Sequence, residues 1–215
     1  MELKKKPDLR MVKLRILRTV SREPMDAFLW GMQEFVKAER LSLAKELDKL
    51  RADSLDNLDE GWLETLFDDD HHFLNEAQKL CHELAIVALY KMVEITSKRA
   101  IKTAYPDARS KDLFKINELK NFLRGKGVDI TRFRHYKAMN EARCINNCIK
   151  HDGVVDSKLA AYSGWVVGSP LENLDRAYHR LVPECESYIA GLIDALIARC
   201  EATKPRPKRN GTQIV

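Results

Sequence analysis

No proline lies between Pro24 and Pro106, and none between Pro106 and Pro170. A proline inside a helix removes a backbone hydrogen bond and clashes with the preceding turn, so two long proline-free stretches leave room for long helices. The apolar residues use that room. From Met25 to Leu50, the side chains Phe28, Leu29, Met32, Phe35, Val36, Leu43, Leu47 and Leu50 recur at helical spacing. They predict one amphipathic helix, with Pro24 suited to its first turn. Residues 53–70 carry Asp53, Asp56, Asp59, Glu60, Glu64, Asp68, Asp69 and Asp70 around Trp62, Leu63, Leu66 and Phe67, and read as an acidic connector with a helical turn. Then Leu74, Ala77, Cys81, Leu84, Ala88, Met92 and Ile95 alternate in steps of three and four. That stripe predicts a bundle-forming helix of about 30 residues.

After Pro106, Leu113, Ile116, Leu119, Phe122 and Leu123 form a shorter helical pattern that stops at Gly125 and Gly127, as a glycine C-terminal signal requires. A fourth helix is expected from about Thr131 to Lys150, ending before Gly153. Residues 152–172 hold three glycines with Val154, Val155, Tyr162, Trp165, Val166 and Val167, and predict an ordered loop or small hairpin. Ile189, Leu192, Ile193, Leu196, Ile197 and Cys200 carry the last helix, with Pro183 at its start or at a kink. Five helices without a convincing strand pattern place the chain among all-α bundles.

Charge is distributed unevenly. Residues 1–22 carry a net +6 and residues 203–215 a net +4, which leaves the body at −5 within a total of +5. The expected organisation is a basic N-terminal arm over 1–22, a helical domain over 23–202 and a compositionally disordered basic tail over 203–215. Basic arms on a mildly acidic body can hold a polyanion electrostatically, and serve solubility equally well. The longest apolar run, Leu84 to Tyr90, has seven residues, far short of the roughly 18 a membrane span needs, and the N-terminus lacks a secretory pattern. A cytoplasmic protein is expected. The five cysteines, odd in number and set in helical patterns, predict reduced thiols rather than a disulfide framework.

On the fourth helix, Ala138, Ala142, Ile145 and Ile149 share the apolar face, while Tyr136, Asn140, Arg143, Asn147, Lys150 and His151 fall on the opposite side. A solvated polar face explains such a set, and Lys150 and His151 suit the negative end of the helix dipole. The string EARCINNCIKHDG nevertheless resembles the signature helix of the HEPN superfamily, small helical-bundle proteins of prokaryotic toxin and defence systems. That family's signature is an arginine followed by a histidine after four to six residues, often as Arg-Asn-x-x-x-His. Asn147 to His151 match the Asn-x-x-x-His part, and the bundle, the late signature helix and the final helix extend the resemblance over about residues 25–202. Asn146 stands where the family places its arginine, and the nearest upstream arginine is Arg143.

The resemblance implies metal-independent RNA cleavage, in which a ribose 2′-hydroxyl attacks the adjacent phosphorus. His151 would accept the proton, a task suited to imidazole, and Arg143 or Lys150 would meet the charge growing on phosphate. Asn147 would orient the imidazole or bind a phosphate oxygen, while Asn140, Asn146 and Tyr136 are candidate RNA or nucleotide contacts. A homodimer is implied, with Arg143 of one chain meeting His151 of another, and a cognate antitoxin or defence-system protein as partner. The alternatives are a non-catalytic relative that binds nucleotide, nucleic acid or a partner protein through the same face, and a plain interaction scaffold. No cofactor or metal is expected. Cys144, Cys148 and His151, with His179 or Cys185, lack the tight paired spacing of zinc sites, and Asp68 to His72 are accounted for as helix-start acids. Glu83 and Glu94 are candidate carboxylate partners for His151, and Tyr162 and Trp165 either stack on a base or anchor their loop.

Overall fold

Asp8 begins the described structure by capping a helix: its carboxylate accepts the backbone N–H of Arg10, and the chain turns into α1, Leu9–Leu17. In the computed structural model, residues 8–19, 22–53 and 60–202 are described. The remaining α-helices are α2, Glu23–Asp53; α3, Glu60–Ala104; α4, Ile116–Gly125; α5, Tyr136–His151; and α6, Leu174–Ala202. Short 3₁₀ turns, Ser110–Leu113 and Ile130–Arg132, precede α4 and α5. Among the described residues the only β pairing is an isolated antiparallel bridge between Val154 and Pro170. The protein is therefore all-α. No helix among the described residues is long and apolar enough to cross a membrane.

Among the described residues six α-helices stand where the sequence predicts five. The extra one is α1, inside the expected basic arm: it buries Met11 and Leu14, three residues apart, and keeps its cations outside. The acidic connector is also reassigned, because its described part from Glu60 onward is the start of α3. Asp68 to His72 accordingly lie inside a helix and exposed, rather than at its N-terminus. α5 starts later than expected, after the 3₁₀ turn, and α6 starts earlier, at Leu174, with Pro183 inside it and exposed. The tail 203–215 and the first seven residues lie outside the described part.

The chain divides into two compact units. Of the described residues, one takes 8–19, 93–137 and 185–202. Its core draws on Met11 and Leu14 of α1, Ala100 and Ile101 of α3, Leu119 and Leu123 of α4, and Ile189, Leu192, Ile193 and Leu196 of α6. An Arg18–Asp194 ion pair at 2.9 Å links α1 to α6. Helix α4 ends in a Schellman motif: Gly127 takes φ +75°, its N–H donates to the Arg124 carbonyl, and Val128 N–H donates to that of Leu123. The Arg199 guanidinium donates to the Gly127 carbonyl from so close that a Cβ would collide with it.

Of the described residues, the other unit takes 22–53, 60–92 and 138–184. Leu29 and Val36 of α2, Leu74, Ala85, Ile86 and Leu89 of α3, Ala142 and Ile145 of α5, and Leu181 of α6 are buried in it. Residues 152–173 form the ordered loop the sequence predicts. Gly153 closes α5 with φ +67° and donates to the Cys148 carbonyl, and Val155 bonds Ser169 and Gly168 across the loop. Val155, Leu159 and Leu171 are its buried anchors.

Candidate functional site on the fifth helix

Helix α5 buries Met139, Ala142, Cys144, Ile145 and Cys148, so that of the expected apolar face Ala142 and Ile145 are buried while Ala138 and Ile149 are half-buried. Two polar residues lie on that buried side, Glu141 and Asn146, at 5% and 2% exposure. A buried carboxylate must be answered by donors, because leaving water unpaired is very costly. Glu141 is answered three times. One oxygen accepts from Arg180 Nη2 at 2.6 Å and from Trp165 Nε1 at 2.9 Å, and the other accepts from Arg180 Nη1 at 3.0 Å. The bidentate pair also holds the Arg180 guanidinium more firmly protonated than usual. It fixes α5 to α6 and, through Trp165, to the loop.

One turn of side chains continues the network. Asn140 Nδ2 donates to the Tyr162 hydroxyl at 2.6 Å, and Asn140 Oδ1 accepts from Arg143 Nε at 2.9 Å. Arg143 Nη2 lies 3.4 Å from Cys144 Sγ. Tyr162 and Trp165 are thus both loop anchors. Arg143 is half-buried and braced in one direction, yet no carboxylate pairs with it among the described residues. Burial pushes the thiols of Cys144 and Cys148 up, with the Arg143 charge opposing the shift at Cys144.

Toward the C-terminal end the face opens. Asn147 is half-buried and its Oδ1 accepts from Asn146 Nδ2 at 3.4 Å, while Lys150 and His151 are exposed. Neither Lys150 nor His151 makes a side-chain hydrogen bond or ion pair among the described residues. Arg143, Asn147 and His151 follow one another at steps of four, so they share a face, but eight residues of helix rise about 12 Å. The Arg143 guanidinium is tied back to Asn140, away from His151. One chain does not bring these two groups together.

Asn146 is not presented to a ligand. It falls four residues after Ala142 on the buried side, and its Oδ1 has no hydrogen-bond partner among the described residues. Tyr136 is half-buried at the start of α5, with Lys120 Nζ 5.2 Å from its ring centre. Glu94 is held by Lys98 at 2.6 Å, and no carboxylate pairs with His151 among the described residues. No group of three His, Cys, Asp or Glu side chains converges to hold a metal ion among the described residues.

Sequence reasoning missed Glu141 and its partner Arg180. The signal was present: Glu141 stands four residues before Ile145 and seven before Cys148, a position that helical geometry turns inward. No family model, curated protein or solved structure matches this chain. What can be stated outright is the class, an all-α protein with a polar, partly open face on α5.

Proposed function

We propose that the chain is a HEPN-like protein of a toxin or defence system, acting in the cytoplasm, whose α5 face binds the phosphodiester backbone of RNA. The observation that carries this reading is Arg143. A half-buried guanidinium braced by Asn140 and Tyr162, with no carboxylate to neutralise it among the described residues, is preorganised for an external oxyanion. Asn147 and Lys150 extend the same polar strip toward His151. Titration of a short fluorescent single-stranded RNA tests it. Arg143→Gln should weaken binding about tenfold, the loss of one charge-assisted contact. RNA affinity unchanged by that substitution would overturn the reading.

The exposed His151 favours a second reading, cleavage at the same face. His151 would take the 2′-hydroxyl proton as that oxygen bonds to phosphorus, the P–O5′ bond would break with the 5′-oxygen taking a proton from water to leave a 2′,3′-cyclic phosphate, and a cation would meet the charge on the non-bridging oxygens. Because Arg143 is tied back toward Asn140, the cation would be Lys150 of the same chain or Arg143 of a second copy in a two-fold dimer. Induced expression of wild type and His151→Ala in a bacterial host, following growth and RNA integrity, separates the readings. Arrest with fragmented RNA in wild type alone establishes cleavage. Intact RNA and normal growth in both, with RNA binding retained, leave the non-catalytic relative, and a cognate antitoxin or defence-system protein becomes the partner to capture.

A further inference from the structure

The unit built on α1, the end of α3 and the end of α6 holds a depression of about 620 Å³ whose rim and walls differ in kind. Arg10 and Lys13 of α1 and Arg99 and Lys102 of α3 bring four cations to it, and Ile16 and Leu17 of α1 form an apolar wall. Lys13, Arg99 and Lys102 have no carboxylate partner among the described residues, and Arg10 meets only Asp8, at 3.5 Å. Four cationic side chains thus line the depression, three of them without a carboxylate partner among the described residues. Ile16 is 68% exposed and projects beside it, an arrangement that leaves apolar surface in water.

We propose that this depression binds a small amphiphilic anion, an apolar chain or body bearing a phosphate or carboxylate head. Head and tail are both needed to satisfy it. The cations draw the head by charge-assisted hydrogen bonds, and Ile16 and Leu17 take apolar surface out of water. The volume lies within the range of small-molecule sites. Nucleic acid fits less well, because the lining offers no aromatic side chain on which a base would stack. The site is independent of the α5 reading.

Calorimetric titration of the full chain tests it, with decyl phosphate and decanoate below their micellar range, decanol and inorganic phosphate as the tail-only and head-only probes, and phosphatidylglycerol vesicles as the lipid source. The expected result is one saturable site for each amphiphilic anion, with decanol and inorganic phosphate at least about tenfold weaker. Arg99→Glu with Lys102→Glu should weaken the anions about tenfold or more while the unfolding midpoint stays in place, and Ile16→Ser should weaken decyl phosphate and leave inorganic phosphate unaffected. Absence of saturable binding, binding indifferent to charge reversal, or binding to vesicles alone would overturn the proposal.

Discussion

The buried Glu141 carboxylate is answered by three donor bonds, whereas Lys13, Arg99 and Lys102 have no carboxylate partner among the described residues. In the first region a carboxylate at 5% exposure collects two guanidinium bonds and an indole N–H, and the neighbouring Asn140 is shared between Tyr162 and Arg143. In the second, cations stand beside apolar surface without a partner among the described residues. Solvent makes the difference. Removal from water obliges a charge to find donors or acceptors in the protein, whereas a hydrated cation gains little from pairing. A satisfied network therefore reports on folding, and unanswered charge at a concavity is surface that folding did not consume.

The largest expected effect is on the buried side. Arg180→Ala removes both guanidinium bonds from a carboxylate that is only 5% exposed, and the free energy of unfolding should fall by about 3 kcal/mol in urea denaturation. A loss below about 1 kcal/mol would break the comparison, because Glu141 would then be tolerating burial with the Trp165 N–H as its remaining donor. Asn146→Leu should act in the opposite direction. It exchanges a buried amide with an unpartnered oxygen for an apolar group of similar size, raising the unfolding midpoint by an amount equivalent to about 1 kcal/mol.

Tyr162→Phe deletes the hydroxyl that fixes Asn140. It should cost about 1 kcal/mol of stability and, by loosening the brace on Arg143, weaken RNA binding a few-fold, seen by comparing denaturation with RNA titration. The smallest effect belongs to the unanswered cations. Arg99→Gln should leave stability within about 0.5 kcal/mol of wild type in the same denaturation assay. A larger loss would mean that Arg99 is held by the fold after all.

Local patterns carried most of the secondary structure. The Gly127 stop of α4, the end of α5 before Gly153 and the ordered loop after it were all legible, because glycine at positive φ and apolar spacing act over a few residues. α3 shows where such reading drifts. The expected stripe ran through Leu84, Ala88, Met92 and Ile95, but the buried side carries Ala85, Ile86, Leu89, Val93, Ala100 and Ile101, with Leu84 and Ile95 exposed. A repeat of 3.5 loses about 20° per seven residues against a helix of 3.6, so its error grows along a 45-residue helix. α2 erred differently. Its apolar residues are real, but Phe28 and Phe35 are each 45% exposed, and only Leu29 and Val36 are buried. Periodicity says which face is apolar, and only tertiary packing says how much of it is covered.

At the candidate site, the strip from Arg143 to His151 was visible as a helical-wheel pattern. The division within it was not. Whether Arg143 reaches toward His151 or folds back on Asn140 depends on Tyr162, nineteen residues further along the chain, and helical spacing carries no information about a loop returning to its helix.

All five cysteines are buried and none is bridged. For Cys81, Cys144 and Cys148, burial also raises the thiol above its ordinary range, which suppresses the reactive thiolate. An alkylating reagent added to the native protein therefore has to wait for the structure to open. Cys144 and Cys148 lie on the buried side of α5, so their alkylation rate times how often α5 lifts from its bed, and Cys81 does the same for α3. The molecule carries its own clock for local opening, read by mass without introducing a new residue.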